Sequence, residues 1–157
     1  MIIVTLRSIK NATTREKSIF QDACVLLQTI LNGDLFRSKV LTAHFTETHG
    51  YTNEEIYNKI VSGSTIIHPD LDNEMTFDIR IYYSWWSRVI GYVNNGSEVI
   101  HVNRKYISNS KYAGSNMLHE MVHNCGFSHY IKPWVYSVPY TINKIFEECA
   151  EAYGKLG

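Results

Sequence analysis

Three histidines and one glutamate lie within the eleven-residue stretch HEMVHNCGFSH, which runs from His119 to His129. Residues four apart lie on one face of an α-helix. His119 and His123 can therefore direct two imidazole nitrogens to a common point about 2.0–2.1 Å from each, the distance of a zinc ligand. Glu120 is rotated by about 100° from His119, which leaves its carboxylate free to accept a proton. The spacing predicts a helix that carries two metal ligands and a general base.

A third ligand would have to come from beyond this helix. Gly126 is placed to end the helix in a left-handed turn, and a chain that reverses there could return His129 to the same metal. Zinc with three protein ligands keeps an open position and lowers the pKa of its bound water to about 7. Leu118, Val122 and Cys125 form a second stripe that faces the core, so we expect Cys125 to be structural.

The composition places these residues in a globular chain. Its 157 residues are 45% apolar and 13% aromatic, enough for a buried core and typical of an ordered protein. Fifteen basic and fifteen acidic residues cancel, so we expect no nucleic-acid partner and no membrane partner. We also expect a monomer. The three cysteines show no CxxC pairing and no signal-peptide core is evident. This favours a cytoplasmic location, with a mature secreted form left open.

Alternating β-branched and aromatic residues predict the strands that support the site. Strands are expected over residues 2–9, 39–47, 76–86, 88–93 and 98–103. The sequence NNG, Asn94 to Gly96, is an apt hairpin connection, and the last three strands suggest an antiparallel or mixed meander. Trp85 and Trp86 are compatible either with the core or with a position near the cleft.

Helical periodicity and capping boxes predict four helices. Thr13 with Glu16 opens a helix that ends near Gly33, and Thr52 with Glu55 opens a shorter one. The four helices are expected over residues 14–32, 53–61, 116–125 and 141–153. The segment from residue 126 to 140 has no regular pattern. Cys24 lies on the apolar face of the first helix and is expected in the core.

The pattern HExxHxxGxxH resembles the zinc signature of the metzincin metallopeptidases. Its fixed positions are His119, Glu120, His123, Gly126 and His129. The predicted order of elements is also similar to that family's. The resemblance implies an α+β fold in which a twisted mixed sheet carries a backing helix and an active-site helix. It further implies a single catalytic domain, with an upper subdomain over about residues 1–126 and a small lower subdomain over about 127–157 that ends in a helix.

The same resemblance implies roles for the site residues. The three histidines would bind one catalytic Zn²⁺, and Glu120 would activate the attacking water and then pass its proton to the leaving amine. No methionine follows His129, and Val138 would take the place of the family's Met-turn methionine. Tyr140 would be an extra ligand or oxyanion donor, with core or rim packing as an equal alternative. The strand over residues 88–93 would be the exposed edge above the cleft, where a peptide could add its backbone.

The sequence therefore predicts a zinc metalloendopeptidase that acts on a peptide or protein substrate. One alternative is a catalytically silent zinc-containing binding module, although a site kept for structure has no need of Glu120. Another is a zinc amidohydrolase that acts on a non-protein substrate. A calcium site at Asp70, Asp72 and Glu74 has weak support, because the carboxylates cluster but their spacing matches no calcium loop.

Overall fold

Four strands and five α-helices form an α+β fold in the computed structural model, which describes residues 1–155. The strands are β1 (Ile3–Lys10), β2 (Glu74–Tyr82), β3 (Gly91–Val93) and β4 (Val99–Asn103). The helices are α1 (Thr14–Leu31), α2 (Asp34–Thr42), α3 (Asn53–Val61), α4 (Ser110–Asn124) and α5 (Val138–Gly154). Short 3-10 turns occur at Arg104–Tyr106 and Trp134–Tyr136. The α+β class predicted from the sequence is confirmed.

The strands form one mixed sheet in the order β1-β2-β4-β3. β1, β2 and β4 are parallel, and β3 is antiparallel to β4 at the edge. Alternate residues of β2 are buried, which fixes the face that it turns to the helices. The buried residues of β2 are Met75, Phe77, Ile79 and Ile81.

The predicted meander is wrong in its strand order, although the sheet is mixed. β4 pairs directly with β2, and β3 lies outside both. Ile100 and Val102 of β4 are buried and fit the interior of the sheet, whereas β3 has three residues and none is buried. The predicted hairpin at NNG is confirmed, with Gly96 at a φ of 75° between antiparallel β3 and β4. Trp85 and Trp86 lie beyond the end of β2 and are 63% and 75% exposed, so they do not pack in the core.

The strand predicted over residues 39–47 is also wrong. Its first part belongs to α2, and the rest is irregular apart from an isolated bridge at Thr46. Phe36 and Val40 lie one helical turn apart and are 1% and 0% exposed. Burial at helical spacing therefore outweighs the β-propensity of the short apolar run.

Both predicted capping boxes are present at the starts of α1 and α3. The last two helices begin earlier than predicted. Asn109 caps α4 by accepting a hydrogen bond from the backbone N–H of Tyr112 at 3.0 Å. α5 begins at Val138 because Pro139 is acceptable in the first turn of a helix. A Cβ on Gly114 would lie 3.0 Å from Phe146 Cζ, so this glycine allows α4 to pack closely against α5.

A single hydrophobic cluster fills the space between the sheet and the helices and includes residues of both predicted subdomains. Cys24 and Cys125 belong to it, as predicted, and Cys149 is buried as well. Burial raises the pKa of Cys24 to about 11 and that of Cys125 to about 12. Among residues 1–155, no helix combines the length and the hydropathy that a membrane span requires.

Candidate metal centre

The three predicted ligand histidines converge. One potential ligand atom from each of His119, His123 and His129 lies within 4.8 Å of the others. Their ring centroids are 4.7 to 5.5 Å apart. Ligand bonds of about 2.0–2.1 Å in a tetrahedral site place ligand atoms a little over 3 Å apart, so the cluster has the size of a three-histidine metal site. No other group of three such side chains meets this criterion within residues 1–155.

The end of α4 explains how the third histidine reaches the first two. Gly126 has a φ of 102°, in the left-handed region that favours glycine. Its N–H donates to the carbonyl of His123 at 2.9 Å, and the N–H of Phe127 donates to the carbonyl of Val122 at 3.3 Å. This pattern ends the helix and reverses the chain, which brings His129 back to the other two imidazoles.

A backbone carbonyl orients one of the imidazoles. Nδ1 of His123 lies 2.8 Å from the carbonyl oxygen of Phe127. The ring therefore donates from Nδ1 and leaves the lone pair of Nε2 for a metal. The carbonyl of Pro139 also acts on the His119 ring, where it partly offsets the lowering of the His119 pKa. The Phe127 carbonyl thus holds the His123 ring from outside the cluster, as carbonyls do for histidines at metal sites in general.

Burial also keeps two of the imidazoles unprotonated. It is the main cause that lowers the pKa of His119 to about 3, and the neighbouring His123 and His129 act in the same direction. Burial likewise lowers the pKa of His123. Metal binding requires a neutral imidazole, so these two histidines need not lose a proton at neutral pH before they bind.

The segment that carries His129 is held by a residue that the sequence analysis did not single out. Oε1 of Glu47 accepts a hydrogen bond from the N–H of Tyr130 at 2.8 Å. The N–H of Thr46 donates to the carbonyl of Tyr136 at 2.8 Å. These bonds tie the segment after α4 to the segment after α2. No short motif marks Glu47, because its partner is 83 residues away.

Glu120 lies beside the cluster and is 7% exposed. Its carboxylate has no hydrogen-bond or ion-pair partner among the described side chains. Desolvation alone raises the pKa of this carboxyl group to about 7. A carboxylate with a pKa near 7 is well matched to accept and return a proton at neutral pH.

Tyr140 lies in the first turn of α5, next to two of the histidines. Its ring centroid is 4.9 Å from that of His119 and 5.0 Å from that of His129. The side chain is 40% exposed, so it lies at the rim of the site and not in the core. Val138, the predicted replacement for the family's methionine, is fully buried at the start of the same helix.

The cluster opens into a cavity of about 930 Å³. β3 forms one wall, and α4 and α5 form the other. Glu120 and Tyr140 both line the cavity. β3 pairs only with β4 within the described part of the chain, so its second edge is unpaired beside the cavity.

A further polar group lines the same cavity. Ser115 lies one turn before His119 on α4, and its hydroxyl contacts Asn143 and Glu147 of α5. Sequence reasoning missed these three residues. Helical spacing could have found them, because Asn143 and Glu147 follow Tyr140 by three and seven residues and so share its face.

The weaker sequence candidates lie apart from this centre. Asp70 and Asp72 are exposed, and Asp72 accepts a hydrogen bond from the backbone N–H of Glu74 at 2.9 Å, as in a solvated turn. These carboxylates do not converge as the imidazoles do. The remaining histidines, none of which joins the cluster, are His44, His49, His68 and His101.

Comparisons with protein-family models, with curated proteins and with solved structures find no match for this chain. The structure itself shows a histidine cluster that is able to bind a metal ion, within an α+β fold.

Proposed function

We propose that the protein is a zinc-dependent peptidase of the metzincin type. The observation that carries this proposal is the convergence of three imidazoles next to a buried carboxylate without a partner, in one cavity. Three imidazole ligands suit zinc, and burial keeps two of them, His119 and His123, neutral. The eleven-residue signature agrees with this chemistry.

Each residue of the site would have a separate role in hydrolysis. His119, His123 and His129 would hold Zn²⁺, which when bound acts as a Lewis acid and lowers the pKa of water to about 7. A Glu120 oxygen accepts a proton from the attacking water and later donates it to the leaving amine nitrogen. One water is thus added as the C–N bond breaks. The Tyr140 hydroxyl is placed to donate a hydrogen bond to the carbonyl oxygen as negative charge develops there.

The edge strand favours a peptide over a small non-protein amide. β3 lines the cavity with Gly91, Tyr92 and Val93, and its free edge presents backbone N–H and C=O groups. An extended peptide can pair with such an edge and so place a backbone carbonyl in the cavity. A binding module that only retained zinc would need no unpaired Glu120.

Metal content is the first test. Purified wild-type protein should contain one zinc per chain, and His129→Ala should lose it or bind it far more weakly. His68→Ala is the matched control, because His68 is an exposed histidine outside the cluster and should keep full metal content. Wild-type protein that binds no zinc would contradict the proposal at its first step.

Cleavage of a peptide library, with and without a chelator, is the second test. We expect chelator-sensitive cleavage by wild-type protein. Glu120→Ala should retain zinc and lose hydrolysis, because the ligands remain and the base is gone. Zinc binding by wild-type protein without cleavage of any peptide would overturn the peptidase function and favour a binding module or a non-protein amide.

A further inference from the structure

Three polar side chains gather where α4 and α5 meet, on the wall of the cavity that holds the histidine cluster. Ser115 is 4% exposed, and its Oγ lies 2.5 Å from Oε1 of Glu147. The same Oγ also contacts the side-chain amide of Asn143. A hydroxyl has one proton to donate and the carboxylate is the stronger acceptor. Ser115 therefore donates to Oε1 of Glu147, and the side-chain amide nitrogen of Asn143 donates to the same oxygen at 3.5 Å.

The carboxylate of Glu147 has no cation of its own. Among the described residues, the nearby lysines are paired with other acids. Lys111 lies 3.2 Å from Glu151, and Lys144 lies 4.0 Å from Glu148. Glu147 forms no salt bridge in the described part of the chain, and only one of its oxygens accepts a hydrogen bond. Its second oxygen is left for a group that enters the cavity.

The distance from the histidine cluster suits a substrate side chain. Ser115 precedes His119 by one helical turn, about 6 Å along the axis of α4. Side chains of an extended peptide alternate between the two sides of its backbone. When a peptide lies along β3 with a carbonyl at the cluster, one residue next to that carbonyl turns its side chain towards the α4–α5 wall. A lysine or arginine side chain is long enough to span one helical turn.

We propose that Glu147, held by Ser115, forms a specificity subsite for a lysine or arginine next to the scissile bond. The proposal rests on the proposed peptidase function and names its substrate class. Arg88 also lines the cavity, but it comes from the segment before β3, whereas Ser115 and Glu147 lie on the helices. The α4–α5 wall is therefore the side that selects for positive charge.

Paired peptides that differ only by lysine or norleucine at the selected position provide the test. Wild-type kcat/KM should favour lysine at least tenfold. Glu147→Gln should bring the ratio close to one, and Glu147→Lys should make the enzyme prefer glutamate at that position. Glu148→Gln is the matched control: it removes the same charge from the next residue, whose carboxylate pairs with Lys39 at 2.8 Å outside the cavity, and it should leave the ratio unchanged.

A binding measurement separates this proposal from the peptidase proposal. Zinc-loaded Glu120→Ala protein, immobilised and exposed to a random peptide library, should retain peptides rich in lysine and arginine. The double variant with Glu147→Gln should lose that enrichment. Cleavage with a preference that Glu147→Gln leaves intact would overturn the subsite and keep the peptidase. Enrichment that depends on Glu147, without hydrolysis by wild-type protein, would overturn the peptidase and keep the subsite.

Discussion

Glu16 and Glu120 are both buried, at 5% and 7% exposure, but their surroundings are opposite. Glu16 accepts hydrogen bonds from Arg104 Nε at 2.6 Å and from the N–H of Thr13 at 2.7 Å. Arg104 is the main cause that lowers the pKa of Glu16. Glu120 has no such partner, and desolvation raises its pKa to about 7.

The difference shows what each carboxylate is available for. Both oxygens of Glu16 are bonded: they cap the start of α1 and join it to Arg104 in the turn after β4. The proton affinity of this carboxylate is therefore low and its position is fixed. The charge of Glu120 makes no contact that stabilises the fold, and its side chain lines the cavity. Buried titratable groups with raised pKa and no structural partner are typical of functional sites.

The largest expected difference is in activity. Glu120→Gln should lower kcat/KM for peptide cleavage by about 10²–10⁴-fold, because the general base is lost while the size of the side chain is kept. Glu16→Gln should leave kcat/KM near the wild-type value at temperatures where it is folded. Steady-state kinetics on the same peptide measures both. Equal losses in the two variants would remove the proposed distinction between the carboxylates.

The free energy of unfolding should depend more on Glu16 than on Glu120. Glu16→Gln should lower the free energy of unfolding by about 2–3 kcal/mol, because Arg104 loses its charged partner and the helix cap is weakened. Urea denaturation measures this loss. Glu55→Gln is the matched control, since Glu55 closes the same kind of capping box on α3 without an arginine. The control should lose less than Glu16→Gln, and a larger loss would contradict the importance of the Arg104 pair.

The pH dependence of stability should separate the two groups in metal-free protein. Because the pKa of Glu120 rises from 4.5 to about 7 on folding, the folded state binds more protons in this window. The contribution of Glu120 to stability should therefore fall as the pH rises from 4.5 to 7, while the lowered pKa values of His119 and His123 act in the opposite sense. Glu120→Gln should be more stable than wild type at pH 8 by about 1–2 kcal/mol. The lowered pKa of Glu16 acts in the opposite sense: its contribution is present above pH 4.5 and is lost as the pH falls through the folded-state pKa. Thermal unfolding of wild type, Glu120→Gln and Glu16→Gln across pH 3–8 checks both signs, because the histidine contributions are common to all three and cancel in each difference from wild type.

The smallest expected effect concerns Glu47, which combines one bonded oxygen, as in Glu16, with one unbonded oxygen, as in Glu120. Its Oε1 is bonded to the N–H of Tyr130, while its Oε2 is buried without a partner. Glu47→Asn should weaken zinc binding by about tenfold, because the shorter side chain loses Tyr130 and loosens the segment of His129. Asparagine suits the φ of 53° at this position. Glu47→Gln keeps the acceptor and should bind zinc like wild type in competition with a chelator. Equal affinity of the asparagine variant would show that this bond does not position the ligand.

Local patterns predicted what depends on neighbours in sequence. The capping boxes of α1 and α3 and the face shared by His119 and His123 all follow from spacings of three or four residues. The turn at Gly126 is equally local, because only its left-handed backbone ends α4. These features were available from the sequence alone.

Features that depend on packing were not predictable in this way. Residues 39–42 form a helix because Val40 is buried on the same face as Phe36, which a short β-branched run does not reveal. The sheet order depends on burial, because β4 buries both Ile100 and Val102 when it lies inside the sheet between β2 and β3. The face that Asn143 and Glu147 share with Tyr140 is a matter of local spacing, but the contact of Glu147 with Ser115, 32 residues away, exists only because α5 packs against α4.

The three buried cysteines have a practical consequence for following motion in this protein. One lies in α1, one directly after α4 and one in α5: Cys24, Cys125 and Cys149. Only a thiolate reacts with alkylating reagents, and burial raises the pKa of all three thiols. Each cysteine is thus labelled only when its surroundings open. The rate of alkylation therefore reports the opening of α1 at Cys24, of the end of α4 at Cys125 and of α5 at Cys149, without an added probe.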